Sequence, residues 1–122
     1  MNNLNILYIE DDPEILENVS FLLSRYTNEV FTATNGEEAL KVYKEKQPDI
    51  VVSDINIPKI NGLKVAEIIR EDNPSVPIII ISAHNEDHQL KIAKELNVSS
   101  YIRKPFTLQE LKDAIAKAIK EK

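Results

Sequence analysis

The chain has 122 residues, 43% hydrophobic and 29% charged, which fits one folded domain with its own core rather than a disordered segment. It contains no cysteine, which excludes disulfides and thiolate metal sites; it has no apolar run as long as a membrane span and no signal peptide, so a cytoplasmic protein with no membrane partner is expected. A formal net charge of −5 argues against nucleic-acid binding through this domain's own field.

The first strand signal, Ile6-Leu7-Tyr8-Ile9, is apolar throughout and runs into Glu10-Asp11-Asp12. Pro13 then suits the first position of a helix, with Asp12 as its N-cap. Ile15, Val19, Leu22, Leu23 and Tyr26 recur at helical spacing and predict the apolar face of that helix. Val30-Phe31-Thr32-Ala33 is a weaker strand, as at a sheet edge. Asn35-Gly36 opens a second helix with Ala39, Leu40 and Tyr43 inward, and Gln47-Pro48 ends it.

Ile50-Val51-Val52 predicts a central strand buried on both faces, ending at Ser53-Asp54 before a loop closed by Gly62. A third helix carries Val65, Ala66 and Ile69 and stops at Asn73-Pro74. Pro77-Ile78-Ile79-Ile80-Ile81 is the strongest buried-strand signal, ending at Ser82-Ala83-His84. A fourth helix presents Leu90, Ala93 and Leu96, with Asn97 as a left-handed terminator. Tyr101-Ile102-Arg103 predicts a short fifth strand before Lys104-Pro105-Phe106. Thr107 and Glu110 form a capping box for a last helix with Leu108, Leu111, Ile115 and Ile119 on its core face.

Strands alternating with helices imply a parallel sheet covered on both faces, joined by right-handed crossovers. The weak second strand favours the flavodoxin-like order 2-1-3-4-5, a (βα)5 doubly wound α/β fold. In that order the first and third strands are neighbours at the switch point, and their carboxyl ends carry acids. Glu10, Asp11 and Asp54 then converge on one cleft, joined by Ser82 and Lys104. Two carboxylates about 4 Å apart repel by roughly 4 kcal/mol at an effective dielectric of about 20, so three call for a cation. An all-oxygen site suits Mg²⁺, with Mn²⁺ as the alternative. A lysine, a hydroxyl and a divalent ion around a carboxylate make a landing place for an anionic tetrahedral group. Taken alone, Asp54 also reads as a cap of the following turn.

No Gly-rich phosphate loop is present, which argues against nucleotide binding. Position 56 is Asn, so the paired carboxylates of an aspartyl-phosphate phosphatase are missing. Asp54 is left as a nucleophile that can accept a phosphoryl group without an acid to pass it on.

The set Glu10-Asp11, Asp54 with Asn56-Ile57-Pro58 and Gly62, Ser82-Ala83, and Tyr101 with Lys104-Pro105-Phe106 resembles the receiver domain of two-component response regulators, over essentially residues 1–122. The resemblance implies that Asp54 takes phosphate from a histidine kinase or phosphotransfer protein. It implies that Asp11, Asp54 and the Asn56 backbone carbonyl ligate Mg²⁺, with Glu10 acting through water. Lys104, next to a cis Lys104–Pro105 bond, would pair with the phosphoryl oxygen. Ser82 would move to bond the phosphoryl group, and Tyr101 would be the aromatic whose rotamer follows. The surface of the fourth helix, fifth strand and fifth helix would carry the change to an effector, the chain being a monomer or a phosphorylation-dependent dimer. Asn56 and His84 flank the nucleophile and would modulate dephosphorylation.

Three acids run together, and Glu10 and Asp11 are chosen because Asp12 is needed as a cap. Ser82 stands where threonine is commoner, which predicts looser coupling to output. Asn97-Val98 replaces a Gly-Ala pair. His84 reads equally as an exposed loop histidine, and Tyr101 as a strand aromatic packed on the last helix. The competing functions are a Mg²⁺-dependent phosphohydrolase with Asp54 as nucleophile and an interaction module that merely binds the metal.

Overall fold

The aliphatic runs become five parallel strands, each followed by a helix, in a computed structural model that describes residues 3–83 and 86–121. In chain order these are β1 (Asn5–Ile9), α1 (Pro13–Ser24), β2 (Glu29–Ala33), α2 (Gly36–Lys46) and β3 (Ile50–Asp54). There follow α3 (Gly62–Asp72), β4 (Ile78–Ser82), α4 (Asp87–Glu95), β5 (Ser100–Arg103) and α5 (Leu108–Glu121). The sheet order is β2-β1-β3-β4-β5, as the weak second strand suggested. None of the described helices is long and apolar enough to cross a membrane.

Alternation along the strands divides the core in two, because successive side chains point to opposite faces. Leu7, Ile9, Val51, Ile78 and Ile80 meet Ala39, Tyr43, Val65, Ile69 and Ala93 of α2, α3 and α4. Ile6, Tyr8, Val52, Ile79, Ile81 and Ile102 meet Leu23, Leu111, Ile115 and Ala118 of α1 and α5. Burying both faces is why β3 and β4 read as unbroken apolar runs.

Short polar side chains start the helices. The Asp12 carboxylate accepts from the N–H groups of Glu14 and Ile15, and Asn35 and Asn61 accept from Glu38 and Lys64. Thr107 and Glu110 bond reciprocally at the start of α5, as the capping-box spacing predicts. Gln47 ends α2 in the left-handed region at φ 48°, and Asn97 follows α4 at φ 56°.

Two expectations about packing are corrected. The core face of α1 is Leu16, Val19 and Leu23, whereas Ile15 and Tyr26 are exposed. Apolar residues at 15, 16, 19, 22, 23 and 26 offer two overlapping stripes, and the sheet selects one. The Lys112 ammonium instead lies 3.7 Å above the Tyr26 ring. Tyr101 packs not on α5 but on the opposite face, against the core of α2, α3 and α4, while its neighbour Ile102 faces α5.

Candidate phosphoacceptor site

The register of the sheet builds the site. Ile9 pairs with Ser53, so Glu10 and Asp54 leave adjacent strands at the same level, and Asp54 in turn pairs with Ile81, one residue before Ser82. Ser82 pairs with Arg103, and the Lys104 N–H donates to the Ser82 carbonyl at 2.8 Å, which carries the lysine back over the acids. The Lys104–Pro105 bond is cis. Four of the expected site residues thus arrive at one edge of the sheet from β1, β3, β4 and β5.

Lys104 Nζ lies 2.6 Å from Asp54 Oδ2 and 3.3 Å from Glu10 Oε1. Asp54 and Glu10 are 5% and 2% exposed, and a charge buried to this degree is costly unless it is paired. Burial raises the Glu10 pKa; the Asp12 N–H at 3.1 Å opposes the shift, nearby Asp54 reinforces it, and Lys104 opposes it. Burial works against the Lys104 charge, but its hydrogen bond to Asp54, the attraction of Asp54 and the contacts with Glu10 outweigh it, leaving the pKa raised. One lysine is bridging two acids.

Asp11 is exposed, and Asp12 is occupied as the α1 cap, accepting from the Glu14 and Ile15 N–H groups. Carboxylate oxygens of Glu10, Asp11 and Asp54 all lie within 4.8 Å of one another. Three hard oxygen donors this close together, one of them exposed, fit a small divalent cation such as Mg²⁺.

The β3–α3 loop is held against Asp54 by backbone contacts. Gly62 N–H donates to the Ile55 carbonyl at 2.8 Å, and Gly36 N–H to the Pro58 carbonyl at 3.1 Å. A methyl group on Gly62 would lie 2.1 Å from the Asp54 carbonyl oxygen, and one on Gly36 would lie 2.0 Å from that of Ile60. Both glycines are there for close approach. Asn56 is exposed in this loop, its N–H 3.4 Å from Asp54 Oδ1.

Ser82 is fully buried at the end of β4, next to the strand that carries Asp54, Tyr101 is half-buried on β5, and His84 lies outside the described residues. Sequence reasoning missed Tyr8, a phenol buried under the acids; its visible trace was an aromatic in an otherwise aliphatic strand. Burial, then the charges of Glu10 and Asp54, push its pKa far above the ordinary phenol value.

Residues 6–116 match the family model described as response regulator receiver domain. The chain is 34% identical over 117 residues to the alkaline phosphatase synthesis transcriptional regulatory protein PhoP of Bacillus subtilis, covering 96% of this chain and 48% of PhoP. It is 40% identical over 115 residues to the Probable C4-dicarboxylate response regulator DctR of Halalkalibacterium halodurans, covering 92% of this chain and 50% of DctR. The chain therefore spans about half the length of these curated relatives. A response regulator receiver domain protein from Clostridium thermocellum superposes with a TM-score of 0.90 at 34% identity, covering 97% of this chain and 95% of that one. A CheY-like receiver domain protein from Methanospirillum hungatei JF-1 shares the fold, with a TM-score of 0.93 at 22% identity over 98% of this chain and 96% of its own.

Proposed function

The chain belongs to the response regulator receiver domain family of two-component signalling, and we propose that within it Asp54 is the phosphoacceptor of a phosphorylation-dependent switch. The observation that carries this reading is the buried Asp54 carboxylate held at 2.6 Å by Lys104, with Glu10 and Asp11 within 4.8 Å. An Asp54 oxygen attacks the phosphorus of a phosphohistidine on a histidine kinase or phosphotransfer protein. The O–P bond forms as the P–N bond breaks, and the imidazole leaves with the electron pair.

Asp11, Asp54 and the Asn56 backbone carbonyl would hold Mg²⁺ or Mn²⁺, with Glu10 acting through water. When bound, the ion neutralises charge on the transferring oxygens. Lys104 transfers its ammonium from the carboxylates to a phosphoryl oxygen, and the Ser82 hydroxyl turns toward the same group. Tyr101, on the face of β5 toward α4, follows Ser82 inward, so that the α4–β5–α5 surface changes shape for an effector to read. A nearly complete switch, from about 1:99 to 99:1, requires about 5.5 kcal/mol of differential stabilisation, shared here by the metal, Lys104 and Ser82.

Asn56 and His84 set how readily water attacks the acyl phosphate, so turnover is slow autodephosphorylation rather than enzymatic hydrolysis. The hydrolase reading lacks a carboxyl group at position 56 to protonate a leaving alcohol. Residues 1–122 act as one receiver domain in the cytoplasm, as a monomer or a phosphorylation-dependent dimer, without direct nucleic-acid or membrane contact.

Incubation with acetyl phosphate and Mg²⁺ followed by intact-mass measurement tests the reading. A single phosphoryl adduct is expected, blocked by chelator and missing in Asp54→Asn, whose circular dichroism stays native. An unlabelled wild-type protein across the full range of Mg²⁺ concentration would overturn it.

A further inference from the structure

Tyr8 is buried to 1% exposure in the middle of β1, and no protein group among the described residues offers its hydroxyl a hydrogen-bond partner. A buried hydroxyl without a partner destabilises, whereas phenylalanine would fill nearly the same volume without that penalty. A phenol at this position therefore needs a state of the molecule in which the hydroxyl is used.

The sheet shows where that use lies. Tyr8 pairs with Val52, and both belong to the cluster facing α1 and α5. In a strand, residues i and i+2 share a face, so Asp54 follows Val52 on this side, and Glu10 leaves β1 two residues beyond Tyr8. The charges of both acids act on the phenol, after burial itself, to keep it protonated. The hydroxyl is a donor without a partner on the side of the sheet that carries Asp54.

The two carboxylates are engaged by others. Glu10 Oε2 takes the Asp12 N–H at 3.1 Å, while Glu10 Oε1 and Asp54 Oδ2 share the Lys104 ammonium at 3.3 and 2.6 Å. When Lys104 moves to a phosphoryl group on Asp54, Glu10 Oε1 loses the protein donor it has here yet stays inside the protein. We propose that Tyr8 is a positioning residue that donates its hydroxyl to Glu10 Oε1 when Lys104 leaves, so that release of the lysine does not strand a buried carboxylate. The timing rests on the phosphoacceptor reading, but the pairing does not, because any loss of Lys104 should call the hydroxyl into use.

Thermal melts of the full chain test both parts. Tyr8→Phe alone is expected to melt at the wild-type temperature or slightly above it. In a Lys104→Met background the same substitution is expected to lower the melting temperature by about 3–6 °C, the reading of one regained hydrogen bond. Lys104→Gln supplies a second background if Lys104→Met does not fold. After acetyl phosphate and Mg²⁺ treatment, the rise in melting temperature on phosphorylation should be smaller in Tyr8→Phe than in wild type by a similar amount. A Tyr8→Phe effect that is equal in both lysine backgrounds overturns the proposal, as do equal phosphorylation shifts. Failure of wild type to take a phosphoryl group refutes the phosphoacceptor reading instead, and leaves the lysine backgrounds to decide on Tyr8.

Discussion

Asp54, Glu10 and Lys104 form a set in which no member is stable without the others. Two carboxylates that are 5% and 2% exposed share one ammonium. A group this buried does not reorganise through solvent, so the backbone around it has to be fixed. Gly62 supplies part of that fixing by letting the first turn of α3 lie directly on the Asp54 carbonyl, where a methyl would sit 2.1 Å from the oxygen. Backbone on both sides of the contact leaves nothing flexible to yield. Gly62→Ala is expected to cost at least about 2 kcal/mol in urea unfolding, with reduced phosphoryl uptake because the loop carrying Asn56 is displaced. A variant as stable as wild type would show that α3 can retreat from β3. Asp54 stood out in the sequence because an acid at the end of an apolar run is costly, although taken alone it also reads as a cap of the following turn. The need for Gly62 was legible only as loop punctuation, since the atom it avoids belongs to a residue eight positions earlier that meets it only in the folded chain.

At the scale of elements, the strands were the readable part and the faces of some helices were not. Ile78–Ser82 is buried at every position, so its composition alone identifies it as interior. Val30 and Phe31 are only partly buried and Thr32 is exposed, which gives away the edge. The α1 stripe failed because apolar residues at 15, 16, 19, 22 and 23 admit two rotations, and Tyr101 failed because the sequence does not show which of two alternating faces of β5 meets α5, a place taken by Ile102. Arg70 was invisible for another reason: its acceptors are far away in sequence. The guanidinium donates to the carbonyls of Val76 at 2.6 Å, Leu96 at 2.8 Å, and Asn73 and Asn97 at 3.1 Å. It thereby clamps the loops that enter β4 and β5; Asn97, in the second of them at φ 56°, is a residue type that adopts the left-handed region readily. Its left-handed backbone delivers a carbonyl to Arg70, and Val98 packs on the core below. Arg70→Met is expected to lower unfolding free energy by about 2–4 kcal/mol, because several carbonyls lose a charged donor at once. Phosphoryl uptake well below the melting temperature should be unchanged, since the clamp sits at the amino ends of the strands and the site at their carboxyl ends. Loss of uptake with native stability would reverse this assignment.

Seen as a whole, the molecule concentrates its functional charge at one edge of a sheet whose two faces are sealed by helices, in a chain that carries a net charge of −5. Acid crowding at that edge makes the metal-free fold less stable than its cores allow, and a bound divalent ion should return the difference. A ligand that binds only the folded state stabilises it by RT ln(1 + [L]/Kd), about 2.7 kcal/mol at a hundredfold excess over Kd. For a domain of this size that corresponds to a rise in melting temperature of roughly 10 °C. Mg²⁺ titration of the wild-type protein is therefore expected to raise the melting temperature along a saturable curve, and chelator should reverse it. Asp11 separates this specific effect from general screening of negative charge. Its side chain is exposed and belongs to the oxygen cluster, so Asp11→Asn should leave the metal-free melting temperature within about 1–2 °C of wild type, as surface changes usually do. The same substitution should remove most of the Mg²⁺-dependent rise, while NaCl at matched ionic strength gives both proteins the same small shift. Equal Mg²⁺ curves for the two proteins would mean that the acids at the sheet edge respond to ionic strength alone and hold no ion in common.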